Sequence, residues 1–114
     1  MTLREASKKL YLQMDMMQQY ETIGLLKGIP LDDGTMDYPI KELQHAVQFH
    51  FLEQAGMDTD DLKYFAVLLD QGESAKMEQI QILRKCRYHL LEEIHCKQQY
   101  LDQLDYYIHE IKQQ

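Results

Sequence analysis

Apolar residues along this chain recur at helical intervals almost throughout, with one interruption near the middle. Leu3, Ala6, Ser7 and Leu10 share one side of a predicted helix over residues 3–10, and Thr2 stands where an N-cap belongs. A turn at residues 11–13 leads to a second short helix, 14–21, with Met14, Met17 and Tyr20 turned inward and Gly24 just past its end. Two short helices across a tight turn form a helix-turn-helix pattern. The interruption is KGIPLDDGTMDYP, residues 27–39, where Asp33-Gly34 signals a hairpin with Ile29 and Met36 or Tyr38 on its arms. Helical spacing returns over 41–54 through Leu43, Ala46, Val47, Phe49 or His50, and Phe51, and stops at Gly56. Asp58 then caps a fourth helix, with Asp60 and Asp61 in its first turn. Leu62, Phe65, Ala66 and Leu69 are its expected buried side, and it ends near Gly72.

From Ser74 the pattern changes. Ile80, Leu83, Arg87, Leu90, Ile94, Lys97, Leu101, Leu104, Ile108 and Ile111 follow a 3-4 repeat without Gly or Pro. Arg87 and Lys97 alone break its apolar character, so it predicts a coiled-coil seam. A helix of that length runs about 58 Å, too far for the preceding residues to cover, so a second copy of the chain is expected along it. The predicted class is all-α, mainly helix with a small β wing. Residues 1–72 form a winged helix-turn-helix unit, and residues 73–114 a long dimerising helix.

Charge changes this picture more than composition does. The 114 residues are 45% hydrophobic, ordinary for a folded chain. Cys86 and Cys96 are ten apart on one helix, about 15 Å, too far for an intrachain disulfide; free thiols fit a reducing cytoplasm. The N-terminus lacks the apolar core of a signal peptide, and no run is long enough to span a bilayer, so a cytoplasmic protein without membrane attachment is expected. The net charge is −7. Residues 1–70 carry six Lys and Arg against twelve Asp and Glu. Acid therefore sits in the part that would meet DNA, opposing the electrostatic attraction that dominates nonspecific binding.

The opening MTLREASKKLYLQMDMMQQYETIGLL, with Glu5, Lys8, Tyr20, Glu21 and Ile23-Gly-Leu-Leu26, resembles the MerR family of bacterial transcription regulators. Gly34 and Tyr38 match the ends of that family's Gly-Tyr-Arg-x-Tyr wing, and Lys41-Glu-Leu43, Gly56 and Asp61-Leu-Lys63 fit the helices that follow. The resemblance spans essentially the whole chain. It implies a DNA-binding head, an antiparallel helix pair and an effector sensed near the dimerising helix. The departures fall where the family's arginines stand: Asp15, Met17, Gln18 and Gln19 replace the residues of its Arg-x-Leu-Arg-Tyr, and Thr35 and Met36 replace the wing's Tyr-Arg. Those arginines would act as phosphate clamps and base readers. A carboxylate at Asp15 repels a phosphate. Tyr11 takes the turn position that is usually Gly.

The candidate DNA contacts are therefore Arg4, Lys8, Lys9, Gln18, Gln19, Tyr20 and Lys27. Met14 and Met17 read as core. Met16 and Met36, expected outside, are candidates for contact with another regulatory protein, and Met57 extends an adaptable methionine surface. Ile80, Leu83, Leu90, Ile94, Leu101, Leu104, Ile108 and Ile111 are the candidate dimerisation residues. His45 and His50 point about 140° apart on a helix and read as one surface and one core histidine. Cys86 and His89 share a face but are too few for a metal unless a second subunit supplies further ligands. Tyr88, Tyr100, Tyr106 and Tyr107 read as packing along the coil's flank. No phosphate loop, ligand cluster or activated nucleophile appears, so neither a cofactor nor an enzymatic activity is expected. The leading expectation is a homodimeric MerR-like regulator with altered DNA contact. The alternative is an interaction module of the same fold that modulates another regulator, with a metal or small-molecule sensor third.

Overall fold

The computed structural model describes residues 1–114. Helix α1, Leu3–Leu10, starts on a reciprocal cap: the Thr2 hydroxyl accepts from the Glu5 amide at 3.1 Å while Glu5 reaches back to Thr2. It ends at Tyr11, whose φ of 57° is left-handed, the only positive φ outside glycine. Helix α2 spans Met14–Thr22 and closes at Gly24, with the Leu25 and Leu26 amides both donating to the Tyr20 carbonyl. The hairpin pairs β1, Ile29–Pro30, antiparallel to β2, Met36–Asp37. Its five-residue connection is held by Asp33, which accepts from both the amide and the hydroxyl of Thr35. Helix α3, Ile40–Gln54, ends before Gly56, and α4, Thr59–Gln71, begins where the Asp58 carboxylate accepts from the Asp61 amide at 2.8 Å. A 3-10 turn, Gly72–Ala75, leads into α5, Lys76–Lys112, a single helix of 37 residues.

The core lies where α1 to α4 converge, its deepest side chains being Tyr20, Phe49, Met17, Leu26, Leu43 and Leu62. Tyr20 and Phe49 meet edge-to-face at 6.5 Å. The expected inner face of α3 needs correction. Leu43, Ala46, Phe49 and Leu52 are buried, whereas Val47 and Phe51 are exposed. On α4 the innermost residues are Leu62, Phe65 and Leu68, with Ala66 and Leu69 packed at the edge. His45 and His50 are both half-buried rather than one outside and one inside.

Only the first three turns of α5 belong to this core. Ile82 is buried, Cys86 packs at its margin, and Gln79 donates to the Leu68 and Gly72 carbonyls. Lys85 adds an ion pair to Asp61 at 3.1 Å. From Arg87 to the end every residue is exposed, and the molecule extends to 75 × 34 × 20 Å. No helix is long and apolar enough to cross a membrane.

Candidate nucleic-acid interface

In a helix-turn-helix unit the second helix presents its outer face to the ligand. That face of α2 carries Asp15, Gln18, Gln19 and Thr22, all exposed. They line an open groove of about 650 Å³ whose far wall is Glu53 and Thr59. The groove contains two carboxylates and no cation. Amides can hydrogen-bond base edges, but nothing here neutralises a phosphate.

Beneath this face α2 is clamped by two tyrosines. The Tyr20 hydroxyl donates to Glu53 at 3.1 Å, and the Tyr38 hydroxyl donates to Glu21. Burial, then the charge and hydrogen bond of Glu53, push the Tyr20 hydroxyl well above the usual phenol range. Burial and the bond to Glu21 push Tyr38 up to about 12. Both rings are 2% exposed, so the structure places Tyr20 inside, as a strut between α2 and α3 and not among the outward contacts expected of it. The hairpin is fastened in the same way: the Met1 amino group donates to Asp37 at 2.6 Å, and the Tyr38 amide donates to the Met1 carbonyl at 2.7 Å. At Gly28 the backbone passes so close to the Tyr38 ring that an added Cβ would lie 2.8 Å from it. A side chain there would force the buried Tyr38 ring to shift.

The methionines are a second correction. Met16, expected outside, is 8% exposed beside the fully buried Met17, because α2 packs against both α1 and α3. Met36 is half-buried and packs on the core, and Met57 is buried. No adaptable methionine surface forms. Arg4, Lys8, Lys9 and Lys27 are all exposed, and none has a carboxylate within ion-pair distance. Arg4, Lys8 and Lys9 lie on α1, while Lys27 borders a smaller cleft with Glu42, Lys63 and Asp70. No group of three or more His, Cys, Asp or Glu side chains is gathered to hold a metal. Cys86 turns its thiol toward the Ala55 carbonyl, and burial raises its pKa, with Asp61 and Glu93 adding to the rise. His89 instead approaches Glu92 at 3.6 Å.

Along α5 the predicted seam is open. Leu83 and Leu90 are each 38% exposed, and Ile94, Leu101, Leu104, Ile108 and Ile111 more than half, whereas Ile80 is partly covered by the head. The residues missed in the sequence are those with partners far along the chain. Glu53 under Tyr20 and Ile82 against the head carry no local signal that separates them from their neighbours.

No family model matches the chain, and no curated protein matches it in sequence. Solved structures do. A MerR family transcriptional regulator from Listeria monocytogenes superposes with a TM-score of 0.80 at 27% identity, over 95% of this chain and 83% of that one. One from Bacillus thuringiensis gives a TM-score of 0.76 at 17% identity, covering 96% and 97%. HiNmlR, a MerR family regulator lacking the sensor domain and solved bound to promoter DNA, gives 0.75 at 24%, covering 93% and 81%. The chain has the fold of the MerR family transcriptional regulators.

Proposed function

We propose that this MerR-fold chain is a homodimeric transcription regulator whose heads engage duplex DNA through weakened contacts, without enzymatic activity. The observation that carries this reading is similarity over nearly the full chain, head and long helix together, to regulators of which one is bound to promoter DNA. The open stripe on α5 supports pairing. Each Leu or Ile removed from water is worth about 1.5–3 kcal/mol, and five of the seam residues are more than half exposed in the single chain. The two seam cations favour antiparallel pairing. Parallel helices would set Arg87 against its own counterpart, and Lys97 likewise, a like-charge cost. With Ile80 opposite Ile111 in an antiparallel pair, Arg87 instead faces Leu104 and Lys97 faces Ile94, while Arg84 comes beside Asp105.

The test is a titration of the pure protein with its own upstream region and with random duplex, at low and physiological salt, alongside sedimentation. Dimers and salt-sensitive duplex binding are expected. Only monomers at micromolar concentration would defeat the pairing. A second reading is favoured by the acid-lined groove on α2: a protein-interaction module that modulates another regulator. It expects no duplex binding even at low salt, and a protein partner lost on Asp15→Lys.

A further inference from the structure

The regulator reading leaves open what holds the phosphates, since the outer face of α2 bears Asp15 and amides. We propose that α1, not α2, supplies the grip: Arg4, Lys8 and Tyr11, with Lys9 beside them, form a contact for the duplex phosphate backbone that does not read sequence. This rests on the regulator reading and deepens it.

Arg4 and Lys8, at i and i+4, make a basic stripe along α1, and Tyr11 stands at its end, in the left-handed cap just past Leu10. The two cations are about 6 Å apart along the helix axis, the axial rise of about two base pairs. Lys9 is turned about 100° further round. All four residues are exposed. The one acid on this face, Glu5, is engaged with the hydroxyl and amide of Thr2 at the helix start. The basic run Arg84–His89 on α5 is differently committed. There Lys85 bonds Asp61, His89 approaches Glu92, and Arg87 lies on the predicted seam. Within the head, α1 thus offers three cations with no competing partner.

Tyr11 adds an independent reason. It is 90% exposed and sits in the left-handed region at φ 57°, where a non-glycine residue is strained. No packing of its ring compensates, and glycine would fit this conformation freely. Strain kept without packing gain is characteristic of binding positions. Placed at the end of the basic stripe, the phenol can donate to a phosphate oxygen while its ring lies along the sugar edge. Phosphate contacts position a protein but carry no sequence information. Selectivity would then be left to Gln18 and Gln19.

The experiment measures binding of the full chain to a random duplex between about 50 and 200 mM salt, by fluorescence anisotropy. Arg4→Gln with Lys8→Gln is expected to reduce the salt slope by about 1.8 per subunit. Tyr11→Gly separates binding from folding: it relieves the strained turn, so the melting temperature should rise while duplex affinity falls several-fold. Unchanged duplex affinity in Tyr11→Gly, or an unchanged salt slope in the double variant, overturns the inference. So does loss of random-duplex binding in Gln18→Ala with Gln19→Ala while the α1 variants bind normally. Tighter binding to phosphatidylserine vesicles than to duplex would assign the stripe to a lipid surface and overturn it too. If the wild-type chain binds no duplex at low salt, the regulator reading itself falls, which distinguishes that failure from the others.

Discussion

The head and the distal two-thirds of α5 both carry aliphatic side chains at helical spacing but use them in opposite ways. In the head, Leu43, Phe49, Leu62 and their neighbours are closed against one another and against Tyr20. Beyond Cys86, α5 closes nothing, and Ile94, Leu101, Leu104, Ile108 and Ile111 stand more than half exposed. The head meets its packing needs within one chain. The outer α5 does not, and a helix of this composition in isolation is held mainly by its own backbone bonds. The contrast separates the two ends: a unit closed on itself at one, an uncovered apolar stripe at the other.

Truncating matched side chains in the two regions should break or sharpen this contrast. Phe49→Ala is expected to lower the unfolding free energy by about 3–5 kcal/mol, measured by urea denaturation, at any protein concentration. The comparable change Leu104→Ala should leave the dilute chain within about 0.5 kcal/mol of wild type. It should instead weaken dimerisation, read as a lower sedimentation-derived mass and a melting temperature that depends more steeply on concentration. Equal destabilisation by both variants in dilute solution would show that the outer helix is already packed. Ile82→Ala tests the border between the regions. It should cost about 2–4 kcal/mol, because Ile82 belongs to the head's core although it lies on α5.

Two smaller effects confine themselves to the head. Asp58→Ala removes the acceptor for the Asp61 amide and should cost about 1 kcal/mol, visible as a modest fall in melting temperature and unchanged sedimentation. Tyr38 is held protonated in the folded state up to about 12, above its ordinary value. The folded chain therefore binds this proton more tightly than the unfolded one. The resulting stability is intact below pH about 10 and is lost as pH rises toward 12. Tyr20, shifted in the same direction, adds to the fall. Tyr38→Phe should flatten part of that slope in pH-dependent thermal melts, and below the window it should lower the melting temperature by a constant amount through loss of the bond to Glu21.

The elements of the head were legible because their ends are written locally. Thr2, Asp58, Gly24 and Gly56 each stop or start a helix where the sequence places them. The face of α3 was not, because that helix is apolar on two sides. Ile40, Val47 and Phe51 form one stripe, and Leu43, Ala46, Phe49 and Leu52 another, and periodicity cannot choose between them. Met16 misled for a related reason: a helix wedged between two others buries adjacent residues that a single-faced pattern would separate. On α5 the 3-4 repeat showed the long stripe but hid the shorter one, Ala75, Ile82 and Cys86, that anchors it. At the candidate interface the missing arginines were plain from the residues. The clamps Tyr20–Glu53 and Tyr38–Glu21 join positions 33 and 17 apart and needed the fold to become visible.

The 37 residues of α5 contain no glycine, proline or kinked turn, and the helix is bolted to its head by Ile82, Gln79 and Lys85. Such a rod has no joint. If two are laid side by side, the distance and phase between the heads become a matter of residue count, each added residue advancing about 1.5 Å and turning about 100°. Inserting or deleting residues in the outer helix would therefore retune the gap between two docking points on a duplex without touching either surface.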